Sequence, residues 1–123
     1  MKSEKISTMA RHRRGDVWLL RFPFTDLTSS KLRPALVWAV HGEDVIVIGI
    51  FSRVPAGRLR NTWLLIEDQR GDFSRIGLKK TSVLKAEKIA IVHESVFQKR
   101  IGSFPTNMMV QVQKALKKAL RIS

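Results

Sequence analysis

The sequence predicts a mainly β domain with one C-terminal helix, arranged as a small, partly open β-barrel. Three observations point there. Short runs rich in Val, Ile, Trp and Phe recur along the chain, separated by polar turns. Pro and Gly punctuate the runs at Pro23, Pro34, Gly42 and Gly57. Only the C-terminal stretch changes to helical spacing, at Met109, Val112, Leu116 and Leu120. Periodicity by itself fits a sandwich as well as a barrel.

Val17–Phe22 is the first predicted strand, ended by Pro23. A long polar loop from Phe24 to Leu32 carries Thr25, Asp26, Thr28, Ser29 and Ser30. A loop of that length on a small domain is a usual place for function. Pro34 has no N–H for a ladder and so opens a strand, Pro34–Val40. It also holds Arg33 extended at the strand's mouth. His41-Gly42-Glu43-Asp44 makes a tight turn into Val45–Ser52, an antiparallel partner. That hairpin brings Arg33 and Ser52 to one edge. Gly49, inside the partner strand, marks a bulge or a close backbone approach.

Further strands are expected at Thr62–Ile66, Thr81–Lys85 and Lys88–Val92, the last two around a turn at Ala86-Glu87. Glu67–Gly77 reads as loop. A short helical turn is expected within His93–Arg100, with Gly102 as its cap. A helix runs from about Pro105 to Arg121, capped by Ser103 or Thr106. Met108, Ala115 and Ala119 widen its apolar stripe.

The 123 residues make one domain, 15–123, behind a basic N-terminal segment, 1–14, read as flexible. Met9 is a second candidate start. Without cysteine there is no disulfide or thiolate metal site. No apolar run spans a bilayer and the N-terminus lacks a signal peptide's apolar stretch, so a cytoplasmic protein is expected. Lys and Arg number 23 against 10 Asp and Glu, a net charge of +13. Solubility alone needs only about 2–8 on a small domain. The excess points to a polyanionic partner, either nucleic acid or an acidic protein.

Several chemistries are disfavoured. His12, His41 and His93 lack metal-ligand spacing, and neither a Gly-rich phosphate loop nor Gly-x-Ser-x-Gly occurs. No metal and no cofactor is expected. Phosphodiester chemistry that uses the RNA's own 2′-hydroxyl remains. It requires a group that orients the phosphate and offsets its developing charge. A guanidinium does this well, with paired donors and a permanent charge. Arg33 is placed for that role, and Ser52 for a hydrogen bond or proton relay. A surface ion pair for Arg33 and a strand-end cap for Ser52 are the plain alternatives.

Gly15-Asp16-Val17, Phe22-Pro23-Phe24-Thr25-Asp26 and Lys31-Leu32-Arg33-Pro34-Ala35-Leu36-Val37 resemble the MazF/PemK toxins of bacterial toxin–antitoxin pairs. Gly77-Leu78-Lys79-Lys80-Thr81-Ser82-Val83, Lys88-Ile89 and Arg100-Ile101-Gly102 are similar to that family's second half, in the same order. The resemblance implies an SH3-like barrel, a homodimer, and a metal-independent, sequence-selective endoribonuclease. Such an enzyme cuts single-stranded RNA to a 2′,3′-cyclic phosphate and a 5′-hydroxyl. It further implies an acidic antitoxin partner and DNA binding together with that antitoxin. By position, the family's catalytic arginine falls on Arg33. Its active threonine falls on Phe51, followed by Ser52. Thr28, Ser29 and Lys31 match a region that contacts RNA, and Arg53 extends the basic edge. Two other readings use the same fold: a catalytically silent RNA- or antitoxin-binding module, and a toxin that acts on a topoisomerase.

Overall fold

Residues 11–21 and 31–123 are described by the structure, a computed structural model. Its first strand begins directly after Gly15 for a conformational reason. Gly15 has φ +94°, a region that side chains disfavour. There its N–H donates to the Val37 carbonyl and its carbonyl accepts from the Phe104 N–H, each at 2.8 Å. Asp16 follows as a buried hub. Its carboxylate accepts from the Arg13 N–H (3.1 Å) and the Trp18 indole N–H (3.5 Å), and pairs with Arg100 Nε at 3.2 Å. The Gly15-Asp16 pair therefore ties the N-terminal segment to the backbone segments that carry Trp18 and Arg100. Asp16→Ala leaves those donors unmatched and is expected to cost about 2–3 kcal/mol. A urea midpoint unmoved by the substitution would contradict this.

Six strands lie among the described residues: β1 (Asp16–Leu20), β2 (Arg33–His41), β3 (Asp44–Phe51), β4 (Trp63–Ile66), β5 (Ser82–His93) and β6 (Phe97–Ser103). They form one antiparallel sheet in the order β4-β5-β3-β2-β1-β6. The sheet is not closed, and β4 and β6 are its edges. A single helical turn, α1 (Phe73–Ile76), and a long helix, α2 (Thr106–Leu120), complete the fold.

The β2–β3 hairpin turns at Gly42 with φ +63°, as the sequence predicts. Elsewhere the elements differ in instructive ways. β1 is described to Leu20, and Phe22, the expected end of that strand, lies outside the described residues. The two strands expected at 81–85 and 88–92 are one continuous β5. Its pairing with β3 slips between Ile48↔Ile89 and Ile50↔Leu84, opposite Gly49. The residues that read as a turn at Ala86-Glu87 are this irregularity. The helical turn expected within 93–100 shrinks to a 3-10 turn, Glu94–Val96, and the rest is β6. Gly102 lies in that strand and caps nothing. The expected loop 67–77 contains α1. No side chain caps α2, whose N-cap is Pro105, and Leu120, assigned to the apolar stripe, is 54% exposed.

Two glycines explain why α1 sits where it does. A Cβ on Gly77 would lie 1.9 Å from the Ile101 carbonyl oxygen, and one on Gly102 would lie 2.2 Å from the Ile76 carbonyl oxygen. The backbone after α1 thus lies directly against the backbone of β6, with no space for a side chain on either strand of the contact.

Strand alternation gives the sheet two apolar faces. Val17, Leu36, Ile48, Ile50 and Leu84 project to the first, covered by Met108, Val112 and Leu116 of α2. Trp18, Leu20, Ala35, Val37, Val45, Val47 and Phe97 project to the second. His12 stacks there on Trp18 and Phe97, with ring centroids 4.7 and 4.3 Å away. Arg14 covers Trp38, its guanidinium carbon 4.0 Å from the ring centroid. The end of the basic lead-in is therefore packed on the sheet.

Burial, and after it the charge of Arg11, holds the His12 imidazole below its ordinary value of 6.5. The unfolded chain then binds more protons than the folded one below that pH. His12 accordingly favours the fold above about pH 6.5 and opposes it increasingly on acidification. The melting temperature of His12→Leu is expected to fall less than that of the natural chain between pH 7.5 and 5.5. Parallel pH profiles would contradict this.

Candidate nucleic-acid interface

Arg33 occupies the first position of β2, opposite Leu20 of β1. It shares a face with Leu20, Ala35 and Val37, which is the second face of the sheet. The side chain is half-buried. Its Nε is buried and has no hydrogen-bond partner among the described residues. Buried donors of this kind nearly always have one, so the position suits an incoming acceptor.

Ser52 follows the last residue of β3 and is exposed. It lines a cavity of about 300 Å³ together with Leu19, Pro34, Lys79, Lys80 and Ser82. The Ser82 hydroxyl is engaged, donating to the Lys80 carbonyl at 2.8 Å. Arg33 does not line this cavity. Pro34 and Ser52 project to the first face of the sheet, Arg33 to the second. The hairpin thus brings Arg33 and Ser52 to one end of the sheet, as its length predicts, but on opposite faces. The expected meeting of the two over one phosphate is corrected in that respect. The Gly49 irregularity does not change this, because the β2–β3 ladder keeps its register there, with Ala35↔Gly49.

Carried two residues further, that register sets Phe51 across from Arg33. Phe51 is half-buried, and the Lys85 ammonium stands 4.7 Å from its ring centroid. The same ammonium is 4.6 Å from the Trp63 ring. Trp63 is opposite Lys85 in the β4–β5 ladder, and the Arg60 guanidinium carbon lies 5.1 Å from the indole ring centroid. The ring is fixed by Glu87, which accepts from Trp63 Nε1 (2.7 Å), the Thr62 hydroxyl (2.8 Å) and Arg60 Nη1 (3.0 Å). Burial pushes the Glu87 carboxyl up, but these hydrogen bonds outweigh it and hold the group below its ordinary value. Glu87 is therefore an anion already satisfied by its neighbours.

Lys31, two residues before β2, and Arg53, two residues after β3, are exposed. Thr28 and Ser29 lie outside the described residues. Among the described residues no cluster of His, Asp and Glu could hold a metal, and no helix is long and apolar enough to cross a membrane. The sequence reading missed Trp63, Lys85 and Glu87 as one group, because they meet only through the β4–β5 pairing.

The chain matches the family model of PemK-like, MazF-like toxins of type II toxin–antitoxin systems over residues 13–120. It belongs to that family. No curated protein sequence matches it. Among solved structures it resembles an endoribonuclease in complex with its cognate antitoxin from a mycobacterial species. That match has TM-score 0.67 and 20% identity, and covers 91% of this chain and 97% of the other. The Mycobacterium tuberculosis toxin MazF-mt6 matches with TM-score 0.68 and 17% identity over 88% and 98% of the two chains. A MazE-MazF structure from Deinococcus radiodurans matches with TM-score 0.64 and 18% identity over 89% and 95%. At these identities the likeness is one of fold.

Proposed function

We propose that this toxin is a metal-independent endoribonuclease that cuts single-stranded RNA, with Arg33 clamping the scissile phosphate. The supporting observation is the buried Nε donor of Arg33, unmatched among the described residues at the mouth of β2. A non-bridging phosphate oxygen would accept from it, and the guanidinium charge would offset the charge that builds up on phosphorus. The RNA's 2′-hydroxyl loses its proton and attacks, the P–O5′ bond breaks, and the departing 5′-oxygen takes up a proton. The products are a 2′,3′-cyclic phosphate and a 5′-hydroxyl. Ser52, just beyond the end of β3, hydrogen-bonds a neighbouring phosphate of the strand rather than the one held by Arg33. Thr28, Ser29, Lys31 and Arg53 contact the strand beyond the cut. The toxin acts in the cytoplasm as a homodimer of one 15–123 domain. An acidic antitoxin neutralises its +13 surface and binds DNA together with it.

The test is incubation of the purified protein with a panel of long unstructured RNAs in EDTA, followed by mapping of the new ends. Discrete cuts with 5′-hydroxyl termini are expected. RNA bound but left intact across the panel would favour the second reading, a silent binding module. Phe51 at the family's threonine position and the opposite faces of Arg33 and Ser52 speak for that reading.

A further inference from the structure

We propose that the second face of the sheet carries a stacking lane for unpaired bases. It runs from Arg33 across Phe51 and Lys85 to Trp63 and Arg60. The inference rests on the reading of RNA as ligand and adds where the strand lies and what holds it.

Strand order supplies the line. β2, β3, β5 and β4 are successive neighbours, and each contributes one member on the same face: Arg33, Phe51, Lys85 and Trp63. Alternation fixes that face independently on every strand. Leu36, Ile50, Leu84 and Leu64 all belong to the first core, so Arg33, three positions from Leu36, and Phe51, Lys85 and Trp63, each one position from its reference, point to the other side. The ring contacts agree, since one lysine ammonium touches both rings.

The chemistry matches a nucleotide strand better than an acidic peptide. Aromatic faces stack bases of any kind, while interleaved cations meet the phosphates between them. An acidic segment would use the cations and leave the rings unmatched. Glu87 does not oppose an anion here, because its carboxylate is consumed by three donors. Its bond to the indole also fixes the Trp63 ring in advance, which lowers the entropy lost on stacking. Lys85 is held only by ring faces in these contacts, so its ammonium can turn to a phosphate when a base displaces it. Phe51, the residue that departs from the family's threonine, thereby becomes a platform next to the phosphate clamp.

The probe is a fluorescein-labelled single-stranded 2′-O-methyl RNA of mixed sequence, which cannot supply the 2′-hydroxyl nucleophile. Anisotropy titrations over a salt series compare the natural chain with Phe51→Leu, Trp63→Leu, Trp63→Phe and Lys85→Ala. Each leucine variant keeps apolar bulk and is expected to weaken binding about 10-fold with an unchanged salt slope. Trp63→Phe restores most of the loss because it keeps a ring. Lys85→Ala lowers the salt slope by about 0.7, the value of one phosphate contact on a single strand. Leucine variants that bind like the natural chain would overturn the lane. So would equal losses toward poly-glutamate, which would make this face a peptide site. The two readings separate cleanly. Failure to cut natural RNA while Phe51→Leu and Trp63→Leu still impair binding removes the nuclease and keeps the lane. Unimpaired binding and cleavage by those variants removes the lane and keeps the nuclease.

Discussion

Arg33→Ala is expected to lower RNA cleavage by at least about 10²–10³-fold, the usual loss when one preorganised donor to a developing charge is removed. The fold should survive. Arg33 sits at the first position of β2 and is half-buried, and its Nε satisfies no other described residue. Loss of the guanidinium therefore removes a buried unpaired donor as well as a charge, so the melting temperature should hold or rise slightly. Arg33→Lys keeps the charge but not the forked donors and should recover little activity. The check is a timed cleavage assay on equal amounts of folded protein, with circular dichroism melts in parallel. Cutting by Arg33→Ala at the natural rate would remove Arg33 from the reaction. A collapse of the melt would show instead that the arginine holds this end of the sheet together.

Gly77→Ala and Gly102→Ala are expected to be the most damaging small substitutions in the domain. In each case the new methyl would overlap a backbone carbonyl of the opposite segment, and backbone cannot rotate aside as a side chain can. Gly77 adds a conformational penalty, because its φ is +86°. The contact relieves itself only by moving α1 off β6, which would uncover Ile76, fully buried in the first core. A loss of about 4 kcal/mol or more is expected, a large part of what a domain of this size has to spare. Expression of soluble, cooperatively melting Gly102→Ala protein with a midpoint near the natural one would refute the clash. By contrast, Gly42→Ala has open space around it and only the turn's φ to oppose it, so it should be tolerated far better.

How much of this was readable in the chain differs from element to element. The β2–β3 hairpin was legible because its information is local: Pro34 opens it, Gly42 turns it, and apolar residues fill both strands. α2 was legible because its spacing at Val112 and Leu116 has a single explanation. β5 reads as two strands in the sequence, since Ala86-Glu87-Lys88 has a turn's polarity, and nothing local shows that Glu87 is satisfied by three residues at or just before the start of β4. β6 was misread as partly helical because Gln98, Lys99 and Arg100 are exposed on an edge, where strand propensity is a weak guide. The site followed the same rule. Arg33 stood out through Pro34 and through the family resemblance. The face on which it lies depends on Leu20, Ala35 and Val37 all being buried together, which is a property of the sheet. The cation–ring group at Lys85 needed the pairing of β4 with β5 before its members could be seen as neighbours.

The slip between Ile48 and Ile50 divides β5 into two halves, of which only the first has strands on both sides among the described residues. Its later half, through Val92, is zipped along β3. Its first half meets β3 only at Leu84 and Val83 and carries all four pairs to β4, which has no other strand neighbour among the described residues. Amide hydrogens of β4 should therefore exchange with solvent well before those of β2 and β3, through an opening that leaves the central ladder intact. Trp63 rides on that edge strand, while Arg33 belongs to a strand paired on both sides. One end of the domain is a fixed anchor and the other a hinged flap of four residues, so slow opening of β4 would set how long a bound strand stays.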